Sequence, residues 1–216
     1  KQTKPIKLLF IPYAGVTINY DDYLQQVKQA LSSTNTDITS LHEYESQIGD
    51  DNSQLIKSIE NADCIMVGGG NTFALLKKLF DLDILDTLRN GVLAGKNYIG
   101  WSAGSNIAGE SIKTTNDMPI IDPKGFDCTS MIPFQINPHY LDANPEGHGG
   151  ETREQRIGEF LEINPNCYVT GLREGTMFKL EDGKLDLIGS RQCRIFKKGQ
   201  EPFELSAGDD FDFLLE

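Results

Sequence analysis

Gly100-Trp101-Ser102-Ala103-Gly104 is the stretch from which the rest of the chain can be read. It follows Asn97-Tyr98-Ile99, short and β-prone, and precedes residues 103–108, which read as a helix. A serine between two glycines at a strand-to-helix junction fits a nucleophile elbow, where a tight turn lifts the hydroxyl clear of the sheet. Glycine is needed on both sides because the flanking backbones approach closely and a Cβ would clash. The following helix aims its free N–H groups and positive dipole end at the serine. The plainer reading is a turn whose Ser102 merely caps the helix. The chain has 21 glycines, so the pattern can arise by chance, and the surrounding sequence must decide.

Upstream, residues 6–11 are apolar except for Lys7, as in a buried parallel strand. Residues 20–31 carry Tyr20, Leu24, Val27 and Leu31 at helical spacing, with Asp21 and Asp22 in the first turn. Residues 37–41 predict a second strand, 51–60 a helix, and 63–67 a third strand. Gly68-Gly69-Gly70-Asn71-Thr72 then opens a helical stretch over 73–93, broken near 81–83. Strands and helices alternating at this spacing predict an α/β fold with a parallel sheet covered on both faces. Ligands of such sheets sit at the carboxyl ends of the strands, where both the triple glycine and Ser102 fall.

Downstream, residues 113–127 read as a long polar loop, 131–136 as a strand ending in Asn137-Pro138-His139, and 144–150 as a glycine-containing loop. Thr152 and Gln155 have capping-box spacing at the start of a helix over 152–163. Residues 167–172 predict a strand followed by Arg173-Glu174-Gly175, and 177–188 a C-terminal hairpin turning at Asp182-Gly183. Residues 194–197 and 202–205 predict short strands, and the acidic end over 209–216 a frayed tail.

At 216 residues the chain is expected to form a single domain over 1–216. Its net charge of −12, from 32 acidic and 20 basic residues, argues against a nucleic-acid partner and requires any anion site to be locally basic. Cys64, Cys128, Cys167 and Cys193 lack zinc-ligand spacing, so no metal and no cofactor is expected. Free, mostly buried thiols point to a reducing, cytoplasmic setting. No run is long and apolar enough to make a membrane a partner.

A serine nucleophile needs a base, an orienting acid and oxyanion donors. Of three histidines, His42 reads as a solvated strand end and His148 lies in a glycine-rich loop, whereas His139 follows a strand at the edge expected to hold Ser102. Two acids compete: Glu174, just after a strand, and Asp117, in the loop after the elbow. Chain order cannot choose between them. Gly69 and Gly70 are the expected oxyanion loop, with the Ala103 N–H as the other donor. A dinucleotide loop fits poorly, because the third glycine of that fingerprint would fall at Phe73. Arg153 and Arg156 could grip a carboxylate, or simply be solvated.

Val67-Gly68-Gly69-Gly70-Asn71-Thr72-Phe73, the elbow through Asn106, Thr114-Thr115-Asn116-Asp117-Met118-Pro119-Ile120, Gln135-Ile136-Asn137-Pro138-His139, and Gly150-Glu151-Thr152-Arg153-Glu154-Gln155-Arg156 together resemble the peptidase E, or α-aspartyl dipeptidase, family of serine peptidases. The resemblance is collinear over most of the chain and closer than that to cyanophycinase, a relative in the same serine-peptidase family. It implies a three-layer α/β sandwich of the class I glutamine amidotransferase type, with a mostly parallel sheet and serine in place of that fold's cysteine. It implies hydrolysis of small acidic dipeptides with N-terminal aspartate, by a monomer or homodimer. The family's serine and histidine fall on Ser102 and His139, and its acid on Glu174. Asp117 stands in a shared motif and stays open as orienting acid or substrate ligand. Arg153 is the expected partner of the aspartyl side chain, and Asp117, Glu151 and Asn71 of the α-ammonium. Family members carry a strand and helix before the segment beginning at Ile6, so a chain lacking them is expected to expose a sheet edge or face. Lys113 stands where the family often has arginine. The rival expectations are a non-catalytic binder of acidic metabolites on the same fold and a cyanophycinase-like or isoaspartyl hydrolase.

Overall fold

The computed structural model describes residues 4–45, 51–144, 146–147 and 149–216. His148 therefore lies outside the described residues, as does part of the loop expected over 144–150.

Strand β1 (Ile6–Ile11) lies between β2 (Thr36–Ser40) and β3 (Cys64–Val67), and β4 (Asn97–Gly100) pairs with β3. All three pairings are parallel. Helices cover both faces because the side chains of β1 alternate. Leu9 and Ile11 join Leu55 and Ile59 of α3 (Ser53–Asn61) and Leu75 and Leu79 of α4 (Thr72–Asp81). Leu8 and Phe10 face the other way, onto Leu24 and Val27 of α1 (Tyr20–Ala30). The α1 start is fixed by Asn19, whose side chain accepts from the Asp21 N–H at 2.8 Å. A short helix, α2 (His42–Glu45), follows β2, and α5 (Leu85–Leu93) continues from α4 after Asp83 breaks the run at φ 52°. The predicted interruption near 81–83 is thus observed.

The second half builds its own four-stranded sheet, in order β10-β9-β6-β5. Strands β5 (Gln135–Pro138) and β6 (Tyr168–Leu172) are parallel, whereas β9 (Cys193–Lys197) and β10 (Phe203–Leu205) run antiparallel. The molecule is α/β with mostly parallel pairing and antiparallel strands at its C-terminus, and hydrogen bonding divides the strands into two four-stranded sheets and one two-stranded hairpin. The division has a local cause. The four-residue helix α6 (Ala103–Asn106) packs against β3, β4 and β5, and the long segment after it lies along β5, where Asn137 Nδ2 donates to Thr114 O at 2.8 Å. The helix α7 (Arg153–Ile163) begins with both halves of the expected capping box. Strand β4 ends its sheet, and Ile99 there is 46% exposed beside an apolar groove shared with Ile6, Leu8 and Met66.

The predicted hairpin is β7 (Thr176–Glu181) with β8 (Lys184–Gly189). The acidic end corrects an expectation: it is not a frayed tail. Residues Asp212–Leu215 form a 3-10 helix with Phe211 and Leu214 fully buried. Phe211 packs edge-on against Phe178 of the hairpin, and Asp212 Oδ1 accepts from the Leu185 N–H at 2.9 Å. Apolar burial outweighs the acidic composition that dominates a reading by charge.

Two glycines separate close approach from mere composition. A Cβ on Gly104 would stand 2.3 Å from Val67 O, whereas one on Gly158, on the exposed side of α7, meets nothing within 4 Å. Gly104→Ala should lose about 1–3 kcal/mol in urea unfolding, and Gly158→Ala should gain roughly 0.5–1 kcal/mol.

Candidate active site

At the end of β4 the chain turns sharply, and Ser102 takes φ 53° and ψ −113°. A non-glycine residue rarely adopts this backbone and pays of order 1–3 kcal/mol for it. The surroundings enforce the turn. A Cβ on Gly100 would lie 2.5 Å from Gly104 O, so both elbow glycines are dictated by backbone contacts. Ser102 stands at the N-cap position of α6, yet its side chain makes no capping hydrogen bond. The plainer reading of this serine as a helix cap therefore does not describe it.

The loop between β3 and α4 lies against the elbow. A Cβ on Gly69 would be 3.0 Å from Ser102 Cβ, and one on Gly70, at φ 138°, would be 2.1 Å from Ala14 O. Among the described residues, no hydrogen bond takes the N–H of Gly69, Gly70 or Ala103. The amides of Gly69, Gly70 and Ala103 are thus left without partners, Ala103 at the helix start and Gly69 against Ser102, as an oxyanion site would require. Tyr23 of α1 donates its hydroxyl to Gly69 O at 3.0 Å. In a trans peptide the carbonyl and the next N–H point oppositely, so this bond also directs the Gly70 N–H.

His139 follows β5 with φ 54°, and its Nδ1 is hydrogen-bonded to Glu174 Oε1. Glu174 follows β6, the parallel neighbour of β5, so both side chains emerge at the same sheet edge. Their side chains are 51% and 66% exposed. With Nδ1 held by the carboxylate, Nε2 is left for proton transfer. Among the described residues there is no direct hydrogen bond between Ser102 Oγ and the His139 ring.

Asp117 points elsewhere. Its Oδ2 accepts from the Thr72 N–H at 2.7 Å and from Thr72 Oγ1 at 2.5 Å, at the start of α4. Asn71 caps the same helix: its Oδ1 accepts from the Ala74 N–H at 3.0 Å, and its Nδ2 donates to Met118 O at 2.9 Å. A part-buried polar chain continues through Thr115 Oγ1, 3.0 Å from Thr72 Oγ1, to Asn116, whose Nδ2 donates to Pro138 O at 2.7 Å. The glycine loop and the strand end carrying His139 are thereby joined.

Arg153 is half-buried at the start of α7. Burial and the neighbouring Arg156 hold its guanidinium below the usual arginine value, with Asp117 acting in the opposite sense. Among the described residues, no carboxylate forms an ion pair with it. Glu151 instead faces Arg156, at 3.6 Å. A cleft of about 500 Å³ lined by Tyr13, Tyr20, Ala74, Lys77 and Ile121 lies on the outer side of α4 and includes neither Ser102 nor His139.

The profile of Peptidase family S51 matches residues 1–188. The chain belongs to this family. It is 48% identical over 210 residues to a protein named Peptidase E from Nostoc sp. strain PCC 7120, covering 97% of this chain and 84% of that one. It is 46% identical over 207 residues to Peptidase E of Shewanella amazonensis, covering 96% and 85%. A crystal structure of a peptidase from an acI-B1 actinobacterium superposes with a TM-score of 0.64 at 16% identity, covering 95% and 82%, and so shares the fold. Chemically, this S51 peptidase is a hydrolase, and no helix among its described residues is long and apolar enough to cross a membrane.

Three features of this peptidase escape a reading by sequence. Tyr23 is not among the apolar positions that mark residues 20–31 as a helix, yet its hydroxyl holds Gly69 O. His42 is not solvated: its ring bonds Ser40 Oγ at 2.7 Å and Asp21 Oδ1 at 3.0 Å. That serine is fully buried, so the arrangement ties β2 to α1 and offers no nucleophile. The third is Arg173, beside Glu174, which binds Asp142 and Glu204. Hydrogen bonding from Arg173 holds the Asp142 and Glu204 carboxyls below their ordinary values. A depressed carboxyl contributes stability that is present above the unfolded value, about 4, and is lost as pH falls through the folded one. The urea midpoint should therefore fall on acidification below about pH 4, and more steeply in the wild type than in Glu204→Gln.

Proposed function

We propose that this chain is a serine-type dipeptidase that hydrolyses dipeptides with N-terminal aspartate through an acyl-enzyme. The observation that carries the reading is the strained Ser102, with unpartnered amides at Gly69, Gly70 and Ala103, together with the His139–Glu174 pair at the ends of β5 and β6. Ser102 Oγ attacks the scissile carbonyl while His139 Nε2 takes its proton. The carbonyl oxygen gathers negative charge facing the N–H groups of Gly69, Gly70 and Ala103, where each donor is worth roughly 2.7–4 kcal/mol. His139 returns the proton to the departing amine, the C–N bond breaks, and an ester to Ser102 remains. Water, deprotonated by His139, then attacks the ester and frees aspartate and Ser102. Glu174 keeps the imidazole in the tautomer that this cycle requires.

Asp117 and Asn71 support the site through the start of α4, which leaves Glu174 as the orienting acid in this reading. The substrate's side-chain carboxylate pairs with Arg153, whose guanidinium is half-buried and has no ion pair among the described residues, its basicity lowered by burial and by Arg156. Asp117 Oδ1 and Glu151 remain for the α-ammonium. A site that pairs both charged ends rejects longer N-terminal extensions, because a buried unpaired charge is costly.

Two measurements test this. Ser102→Ala should abolish Asp-X hydrolysis and fluorophosphonate labelling while thermal unfolding stays cooperative. Full turnover in that variant would end the serine mechanism, and aspartate binding without labelling of the wild type would point to a non-catalytic binder. Arg153→Ala should lower kcat/KM for Asp-X by about 1.5–3 kcal/mol, roughly 10- to 150-fold. Turnover of Asn-X should change far less. Equal losses on both substrates would remove Arg153 from carboxylate recognition.

A further inference from the structure

The His139–Glu174 pair is exposed, and an exposed ion pair is worth only about 0–1 kcal/mol. It cannot hold its own geometry, so something in the scaffold must. Resting on the reading of this pair as the catalytic base and its orienting acid, we propose that Arg173 is the positioning residue that fixes the separation between the two loops carrying them.

The guanidinium of Arg173 has every one of its N–H donors engaged. Nε donates to Asp142 Oδ2 at 3.1 Å, and Nη2 completes the fork on Asp142 Oδ1. Nη1 and Nη2 donate to Glu204 Oε2 and Oε1, each at 2.8 Å, and Nη1 also donates to Gln192 O at 2.6 Å. Two carboxylates are thus gripped bidentately by one rigid plane. The same plane lies 5.4 Å from the ring centroid of Tyr140.

The positions of these partners give the clamp its meaning. Tyr140 and Asp142 follow His139 directly in the chain, whereas Arg173 immediately precedes Glu174. Glu204 lies in β10 and Gln192 just before β9, on the far side of β6 from β5. One side chain, only 12% exposed, therefore ties the His139 loop and the Glu174 loop to a common frame. Glu204 is held in turn by Arg194 at 3.0 Å, so the frame does not rest on Arg173 alone. Lysine at 173 keeps the charge but cannot make both forks.

The test uses Arg173→Gln, Arg173→Lys and Asp142→Asn in the full chain. Two readouts are taken: steady-state kinetics on Asp-X, and the downfield ¹H signal of the His139 Nδ1–H bonded to Glu174. Both Arg173→Gln and Asp142→Asn should lower kcat by roughly 10- to 100-fold with KM little changed, and weaken or abolish the proton signal. Arg173→Lys should not restore either. Asp142→Asn removes an exposed carboxylate and leaves the Arg173–Glu204 fork intact, so it decides the matter if Arg173→Gln fails to fold. Wild-type kcat and an unchanged proton signal in Asp142→Asn would overturn the proposal. Glu174→Gln separates the two ideas: a loss there without a loss in the clamp variants sinks the clamp alone. Unchanged turnover in Glu174→Gln sinks the catalytic reading, while the proton signal still reports whether Arg173 sets the pair.

Discussion

Everything at the site follows from how closely the elbow helix crosses β3. Val67 O stands where a Cβ on Gly104 would have to be, 2.3 Å away, and Gly104 O blocks a Cβ on Gly100 at 2.5 Å. No other residue type fits either position without moving the strand. The residues after β3 are crowded in turn, Gly68 by Tyr23, Gly69 by Trp101 and Ser102, and Gly70 by the Ala14 backbone. The bare amides and the strained serine are therefore one packing solution. The backbone strain at Ser102 is offset by the fully buried Ala103 and Ile107 behind it and by the apolar layer they join.

The two halves of the site are held by different means. On the serine side the constraints are steric and interior, supplemented by the Asn71 and Asp117 bonds that close the start of α4. On the histidine side the two side chains are 51% and 66% exposed. Geometry there is delegated to hydrogen bonds of the surrounding backbone and to the Arg173 fork. The Thr72–Thr115–Asn116 chain is the described polar link between the halves, and part of it is costly: Asn106 Oδ1 and Asn137 Oδ1 are buried without a described hydrogen-bond partner.

The alternation of apolar strands with helices was legible because it is a one-dimensional pattern: Leu8, Leu9, Phe10 and Ile11 are buried on alternate faces as their run implied. The elbow and the triple glycine were legible for a similar reason, since close backbone approach leaves a residue-type signature at neighbouring positions. Glu174 and Asp117 could not be separated in the sequence. Both follow ordered elements in polar company, and only the third dimension turns one toward His139 and the other toward Thr72. The division into two sheets was hidden as well, because strand order depends on contacts between residues more than 30 apart. At the C-terminus, counting acids concealed Phe211 and Leu214, whose burial needs a hairpin that the composition does not mention.

The long-range field of this molecule opposes the substrate proposed for it. A net charge of −12 repels an acidic dipeptide at distance. That repulsion is screened over about 8 Å at physiological salt, so recognition has to be decided at contact, by a cation held short of its own counterion. In the reading proposed above that cation is Arg153 at the start of α7, whose basicity burial and Arg156 lower and Asp117 raises, and which has no ion pair among the described residues. The next residue, Glu154, pairs with Arg194, which shares Glu204 with Arg173, the neighbour of Glu174. The start of α7 and the end of β6 that carries Glu174 are therefore tied into one network.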